Sequence, residues 1–318
     1  MKNILVISFF FITHQYTTIG IEKIINKVIF AGSNAERNIE DEMRINFFST
    51  YSQLVYINLK TATAQIITKQ TKEKTEQGTE DSIPCILLSQ QKHNLHDHQK
   101  KNLIIYFGGN GETIYANRGF EFFKLAQTNS DVLLVGYPGY AGSKTQPSPE
   151  NFYLQTEVLA RCLKKSLEKI YDKIIIIGWS IGCAAAINTT LLCNKTKTIS
   201  HLVLINGFKN IKECAKHLIT NQMPFAESLI DGIISNISND FDNEKRIQQI
   251  TTPLTILYTH QDDIVNNKDS STLYHAAKKS KDKILKQIPG DHIRWDSALV
   301  YKIMKLHTEN KKSEIEKI

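Results

Sequence analysis

Residues 173–186, which read KIIIIGWSIGCAAA, constrain the fold of this chain more than any other stretch. The four isoleucines at 174–177 are too few for a helix and predict a strand that is buried on both faces. This strand runs directly into the sequence GWSIG at 178–182, and the small residues from Cys183 onward begin a helix. A G-x-S-x-G sequence between a strand and a helix is typical of a tight turn that presents a serine nucleophile. Ser180 is therefore the first candidate functional residue.

Strand and helix patterns alternate along the chain on both sides of this stretch. After a strand-rich part that begins near residue 46, helical patterns separate most of a series of buried strands, at 102–107, 131–135, 174–177, 201–205, 253–258 and 283–288. Such alternation predicts an α/β domain with a mostly parallel central sheet flanked by helices. No Pro/Gly/Ser-rich linker divides residues 46–318, so we assign them to one domain.

The overall composition argues against several classes of protein. The 318 residues are 41% apolar and 22% charged, as in ordinary globular proteins. The formal net charge is +7, but only six of the 39 basic residues are Arg, and no zinc-finger spacing is present. A nucleic-acid partner is therefore not expected. The five cysteines are odd in number and lack a C-x-x-C spacing, which predicts free thiols.

The segment 1–45 suggests contact with a membrane surface or export. Residues 4–12 (ILVISFFFI) have the length of a signal-peptide core and are too short to span a bilayer as a helix. An apolar segment folded onto the domain explains them equally well. Apolar residues at 21, 24, 25, 28 and 29 form one helical face, which suits either a protein core or a membrane interface. We slightly favour a membrane-associated or exported protein over a cytoplasmic one.

A serine nucleophile needs a base to accept its proton and an acid to orient that base. His292 and His260 both follow strands that come after Ser180, and His292 is favoured because the acid candidates precede it. Two neighbouring aspartates, Asp262 and Asp263, compete for the role of the acid. We favour Asp262 because the branched residues Ile264 and Val265 follow it two and three positions later, which is the spacing expected after this acid.

A serine hydrolase also needs two N–H donors for the oxyanion of its tetrahedral intermediate. The amide of Ile181, next to the nucleophile, is the first candidate. The second is expected in the Gly-rich turn (residues 108–111) that follows the strand 102–107, and Asn110 is the first choice there. We expect no metal ion and no organic cofactor. Three histidines beside Asp97 lie in a connector before a strand, at the edge of the sheet away from ligands.

Five ordered segments resemble the α/β-hydrolase superfamily. They are YFGGNGE (106–112), GYPGYAGSKTQPSPENFY (136–153), GWSIG (178–182), TPLTILYTHQDDIV (252–265) and PGDH (289–292). Within the superfamily they are most similar to small-capped, often membrane-associated hydrolases, a group that includes protein depalmitoylases. The resemblance covers about residues 50–305 and implies an α/β-hydrolase fold. It also implies a catalytic triad of Ser180, Asp262 and His292, with Asn110 and Ile181 at the oxyanion hole.

The chain departs from the group's pattern at three positions, with Gly108 in place of His, Ala141 in place of Gly and Asp291 in place of Gly. The segment between Ile205 and Pro253 is short for a cap domain and predicts a small lid. We predict a serine hydrolase that cleaves a carboxylic ester or thioester of a small-molecule or lipid-type acyl substrate. The alternative is a binding protein that has the hydrolase fold without the activity.

Overall fold

The structure of the protein is a computed structural model. Several predictions fall on residues outside its described part, namely the N-terminal segment 1–45, the three histidines beside Asp97, Ala141 and the middle of the predicted lid segment, residues 223–239. The model describes residues 52–58, 63–67, 82–89, 101–114, 118–126, 130–140, 143, 145–165, 167, 170–222 and 240–318.

Nine strands form one sheet in the described part of the chain. They are β1 (Ser52–Asn58), β2 (Thr63–Ile67), β3 (Ser82–Leu88), β4 (Asn102–Phe107), β5 (Ser130–Val135), β6 (Ile174–Trp179), β7 (His201–Ile205), β8 (Leu254–Gln261) and β9 (Lys283–Asp291). Their order across the sheet is β2-β1-β3-β5-β4-β6-β7-β8-β9. All pairings from β5 to β9 are parallel, whereas β1, β2 and β3 add an antiparallel flank. The predicted mostly parallel sheet is confirmed.

Helices follow most of the parallel strands and cover both faces of the sheet. They are α1 (Gly119–Ala126), α2 (Pro149–Lys165), α3 (Gly182–Cys193), α4 (Ile211–Gln222), α5 (Asn243–Ile247), α6 (Asn267–Ala276), α7 (Ser297–Thr308) and α8 (Lys312–Ile315). None of the helices in this part of the chain combines the length and the apolar composition that crossing a bilayer requires.

Side chains of the central strands alternate between two apolar cores. In β6, Ile174 and Ile176 pack into the core under α2 and α3, whereas Ile175 and Ile177 pack into the core under α1 and α7. Each of these four side chains is at most 4% exposed. The isoleucine run is therefore explained by a strand that is covered on both faces.

Strands β8 and β9 continue beyond their apolar runs. Both were predicted to end at residues 258 and 288, but backbone pairing extends β8 to Gln261 and β9 to Asp291, with a register shift between Thr259 and Gln261. Ladder hydrogen bonds do not require apolar side chains, so the hydrophobic pattern underestimated these strands. The extension places the candidate acid and base side by side at the carboxyl edge of the sheet.

Candidate active site

Ser180 lies in a strained turn between β6 and α3. Its φ angle is 54°, in the left-handed region that L-residues other than Asn and Asp rarely adopt. The turn is tight because a Cβ on Gly178 would lie 2.6 Å from the carbonyl oxygen of Gly182, and one on Gly182 would overlap that of Phe107. The flanking glycines thus permit the sharp bend that holds the hydroxyl at the sheet edge.

The side chains of Ser180, His292 and Asp262 form one hydrogen-bonded row. His292 Nε2 lies 2.9 Å from Ser180 Oγ, and His292 Nδ1 lies 2.7 Å from Asp262 Oδ2. The Asp262 and His292 side chains are only 2% and 6% exposed. In this low-dielectric setting a carboxylate beside Nδ1 fixes the imidazole with Nε2 directed at the hydroxyl.

Asp262, rather than Asp263, reaches the imidazole. The second oxygen of Asp262, Oδ1, accepts hydrogen bonds from the backbone N–H groups of Ile264 at 2.9 Å and Val265 at 2.8 Å. Asp263 is exposed. Since adjacent residues project in different directions, only one of the two aspartates can enter this site, and the backbone donors fix its carboxylate there.

Two side chains that sequence reasoning missed hold the backbone of His292. Its carbonyl oxygen accepts hydrogen bonds from Trp179 Nε1 at 3.1 Å and Asn206 Nδ2 at 3.4 Å. Asn206 Oδ1 accepts from the N–H of Thr259, near the end of β8, at 2.9 Å. Asn206 therefore bridges the strand that leads to Asp262 and the loop of His292. The signal available in the sequence was its position directly after β7, at the same sheet edge as the other candidates.

Asp291, which stands where the hydrolases that the sequence resembles have Gly, closes the loop that carries His292. Its Oδ1 accepts hydrogen bonds from the N–H groups of Ile293 at 2.9 Å and Arg294 at 2.7 Å. These bonds, the Arg294 one foremost, lower the pKa of Asp291. The preceding Gly290 has a φ of 117°, which a side chain would strain. Asp291 thus takes over a local structural role in a sharply turned loop.

The Gly-rich turn packs against the serine turn, as the oxyanion prediction requires. A Cβ on Gly109 would lie 2.8 Å from the ring of Trp179. Two tyrosines after β5, which sequence reasoning also missed, support the turn, since Tyr137 donates to the Gly108 carbonyl at 2.7 Å and Tyr140 donates to Asn110 Oδ1 at 2.8 Å. Their signal was the aromatic spacing in the segment 136–140.

The thiol of Cys183, three residues after Ser180, is buried and hydrogen-bonded. Burial raises the pKa of this thiol to about 12. The thiol donates to the carbonyl of Gly178 at 3.2 Å. All five cysteines are free.

Within the described ranges no group of three or more His, Cys, Asp or Glu side chains is arranged to hold a metal ion.

Comparison with known proteins agrees with this architecture. An alpha-beta hydrolase from Vibrio vulnificus superimposes with a TM-score of 0.63 over 94% of this chain and 95% of its own, at 14% sequence identity. The fold is that of the α/β hydrolases. By sequence, the chain is 24% identical over 185 residues to protein bem46 of Schizosaccharomyces pombe and 26% identical over 186 residues to lysophosphatidylserine lipase ABHD12 of Danio rerio.

Each of these sequence matches covers only part of this chain and only part of the relative. They cover 58% and 56% of this chain, and 59% and 48% of the bem46 and ABHD12 proteins. The chain therefore matches only about half of the length of these curated relatives. No protein-family profile matches the chain.

Proposed function

We propose that this protein is a serine hydrolase that cleaves a carboxylic ester or thioester through an acyl-enzyme. The observation that carries the proposal is the row of hydrogen bonds from Asp262 through His292 to Ser180, whose hydroxyl sits on a strained turn. A nucleophile, a base and an orienting acid in this geometry are the requirements for acyl transfer.

In the proposed first step, Ser180 Oγ attacks the carbonyl carbon and its proton moves to His292 Nε2. Asp262 stays ionised and stabilises the imidazolium through its bond to Nδ1. The amides of Ile181 and Asn110 are the proposed donors to the oxyanion. The intermediate collapses, the imidazolium protonates the departing alcohol or thiol, and an acyl-serine forms.

In the second step, water attacks the acyl-serine. His292 accepts a proton from this water, and the second tetrahedral intermediate releases the acid and returns the proton to Ser180 Oγ. All proton transfers take place at one nitrogen, His292 Nε2. The chemistry therefore proceeds without a metal ion or an organic cofactor.

The proposal of an ester substrate draws on the sequence relatives as well as on the site. The zebrafish relative is named as a lipase, and a lipase cleaves carboxylic esters. The thioester alternative rests on the resemblance of the five sequence segments to the group that includes depalmitoylases. A small lid and contact with a membrane surface are further parts of the proposal.

Labelling with a fluorophosphonate probe tests the nucleophile. We expect the folded protein to be modified at Ser180 and the Ser180→Ala variant to remain unlabelled. A panel of p-nitrophenyl esters from acetate to palmitate, together with acyl thioesters, then defines the substrate. A folded, monodisperse sample without labelling would favour the alternative of a binding protein, and strong amidase activity without esterase activity would contradict the proposed substrate class.

Intact-mass analysis of protein fractionated from its native host tests the membrane proposal. We expect the chain in the membrane fraction or in a processed, exported form. A full-length chain found wholly in the soluble cytosol would contradict it.

A further inference from the structure

Arg118 contacts the backbone of the candidate site, although no step of the proposed mechanism uses it. Its guanidinium donates to the carbonyl oxygens of Ile293 and Trp295, the latter at 3.2 Å. Both carbonyls belong to the histidine loop (residues 292–296), which follows β9 and begins with the proposed base. One side chain therefore holds the loop through two charge-assisted hydrogen bonds.

Both tryptophans of the chain pack on the same guanidinium. The guanidinium carbon of Arg118 lies 4.5 Å from the ring centroid of Trp295 and 5.1 Å from that of Trp179, which is within the range of cation–π attraction. Trp179 is also the residue that donates to the His292 carbonyl. Arg118 is thus linked to the histidine loop both directly and through the indole of Trp179.

Glu112 connects Arg118 to the Gly-rich turn. It directly follows the turn, and its N–H donates to the carbonyl of Gly109 at 3.1 Å. Its carboxylate accepts hydrogen bonds from the hydroxyl of Tyr106 at 3.1 Å and from the N–H of Arg118 at 3.2 Å, and lies 3.9 Å from Arg118 Nε. The Arg118 and Glu112 side chains are only 21% and 13% exposed, so solvent screens their attraction weakly.

We propose that Arg118, held by Glu112, is a positioning residue that fixes the histidine loop relative to the Gly-rich turn. This inference rests on the proposed function, because it concerns the distance between the base and an oxyanion donor. Proton transfer and oxyanion stabilisation must occur in the same transition state, and a displacement of about 1 Å costs roughly 100-fold in rate. Arg118 acts through the loop and not on the reacting atoms.

Kinetics of an Arg118 series test this role. Arg118→Met keeps an apolar stem for the two indoles but removes the charge and all donors. We expect kcat for an ester substrate to fall about 10- to 100-fold with KM within about threefold, because the interaction serves the transition state and not substrate binding. Arg118→Lys, which keeps the charge without the planar fork, should recover part of the loss. Glu112→Gln should lower kcat in the same direction.

Arg161→Met is the matched control. Arg161 is an exposed arginine that pairs with Glu157 four residues earlier. It lies on α2, whose buried residues belong to a different core from that of Trp295. Its replacement should leave kcat and KM unchanged. All rates are compared well below the thermal transition of each variant, so that a general loss of stability does not lower kcat.

Hydrogen–deuterium exchange measures the position of the loop without any substrate. We expect the peptide that covers residues 289–297 to exchange faster in Arg118→Met than in Arg161→Met, with the peptides of α6 unchanged. If the wild type shows no turnover that depends on Ser180, the proposed function fails, and the exchange result alone decides the positioning role. Equal exchange in the two variants, or a raised KM with unchanged kcat, would overturn the inference. If Arg118→Met does not fold, Arg118→Lys and Glu112→Gln provide the same comparison.

Discussion

The protein contains two rows of acid, imidazole and hydroxyl, one at the carboxyl ends of the parallel strands and one near the amino ends of β8 and β9. At the carboxyl end it is Asp262–His292–Ser180, with distances of 2.7 and 2.9 Å. At the amino end it is Asp282–His307–Thr255, in which His307 Nε2 lies 2.8 Å from Asp282 Oδ1 and His307 Nδ1 lies 2.7 Å from Thr255 Oγ1. The two rows contain the same chemical groups in the same order.

The two hydroxyls differ in the backbone that carries them and in their access to solvent. Ser180 has a φ of 54° in a turn at the sheet edge and is 8% exposed. Thr255 lies inside β8, is fully buried, and shares its hydroxyl with a second imidazole, His201 Nε2, at 2.8 Å. We therefore expect catalysis at Ser180 and not at Thr255. Only Ser180 lies on a strained turn, which frees its hydroxyl from the strand.

The burial of both imidazoles agrees with a structural role for the amino-end row. Burial, followed by the proximity of His307, lowers the pKa of His201 to about 3, and burial also lowers the pKa of His307. Both imidazoles are thus neutral over the physiological range. A neutral pair around one hydroxyl fastens β7, β8 and α7 together.

The largest expected effect is on kcat/KM, and it distinguishes Asp262 from Asp282. Asp262→Asn should lower kcat/KM roughly 10³- to 10⁴-fold, because an amide no longer selects the productive imidazole tautomer. The matched variant Asp282→Asn should change kcat/KM by less than about threefold, since it alters only the amino-end row. Steady-state ester hydrolysis measures both. Asp263→Asn serves as a second control. If it lowers kcat/KM as much as Asp262→Asn does, the assignment of Asp262 as the acid is wrong.

The hydroxyl of Thr255 is expected to matter for stability and not for turnover. Thr255→Val leaves nitrogens of His201 and His307 buried without their partner, which should cost roughly 2–4 kcal/mol of unfolding free energy. Thr255→Ser retains the hydroxyl and should cost less. Denaturant unfolding measures the difference, and kcat of the folded fraction should stay near the wild-type value. If Thr255→Val lowers kcat without lowering the free energy of unfolding, the prediction is wrong and the Thr255 hydroxyl serves turnover.

The pH dependence of stability is the third property in which we expect the amino-end row to have an effect, through His201. Between pH 6.5 and 3 the unfolded chain protonates His201 while the folded protein does not, so stability falls as the pH decreases. From pH 6.5 to 5 this residue should account for about 2 kcal/mol at most. His307, Asp282 and Lys312 face the same site and add to the profile. Unfolding of wild type and His201→Gln over this range should give diverging curves, and parallel curves would show that the pKa of His201 is the same in the folded and unfolded states.

The smallest expected effect concerns the cap of the histidine loop. Asp291→Asn keeps an acceptor oxygen for the N–H groups of Ile293 and Arg294, so kcat should change less than about twofold. Asp291→Gly removes the acceptor and frees the loop, and kcat should fall about three- to tenfold. The comparison isolates the hydrogen bonds from the charge. If both variants lose the same activity, the charge is what matters and not the cap.

Local sequence predicted the fold where the pattern is short-range. The isoleucines before Ser180 predicted β6, and alternation of strands and helices predicted the parallel sheet. His292 was preferred to His260 from order alone, and the structure brings His292 to the serine. The catalytic roles of these residues remain a proposal for the experiments above.

Contacts between distant segments escaped sequence reasoning. Arg118 and Trp295 are separated by 177 positions and Asn206 and His292 by 86, and no periodicity links residues so far apart. The two rows show the same limit, because position along the chain did not reveal that Asp282 meets His307. Which carboxylate meets which imidazole is decided by how β8, β9 and α7 pack together.

The sequence by itself determined which segments form strands, where the serine turn lies and which loops carry candidate acids and bases, because these depend on side chains next to one another along the chain. Only the tertiary structure decided which of two similar rows of side chains is accessible and strained, and how Arg118 and Asn206 hold the histidine loop. The physical reason is that burial, contact distances and backbone strain arise only when distant segments pack together. They cannot be assigned to a segment considered alone.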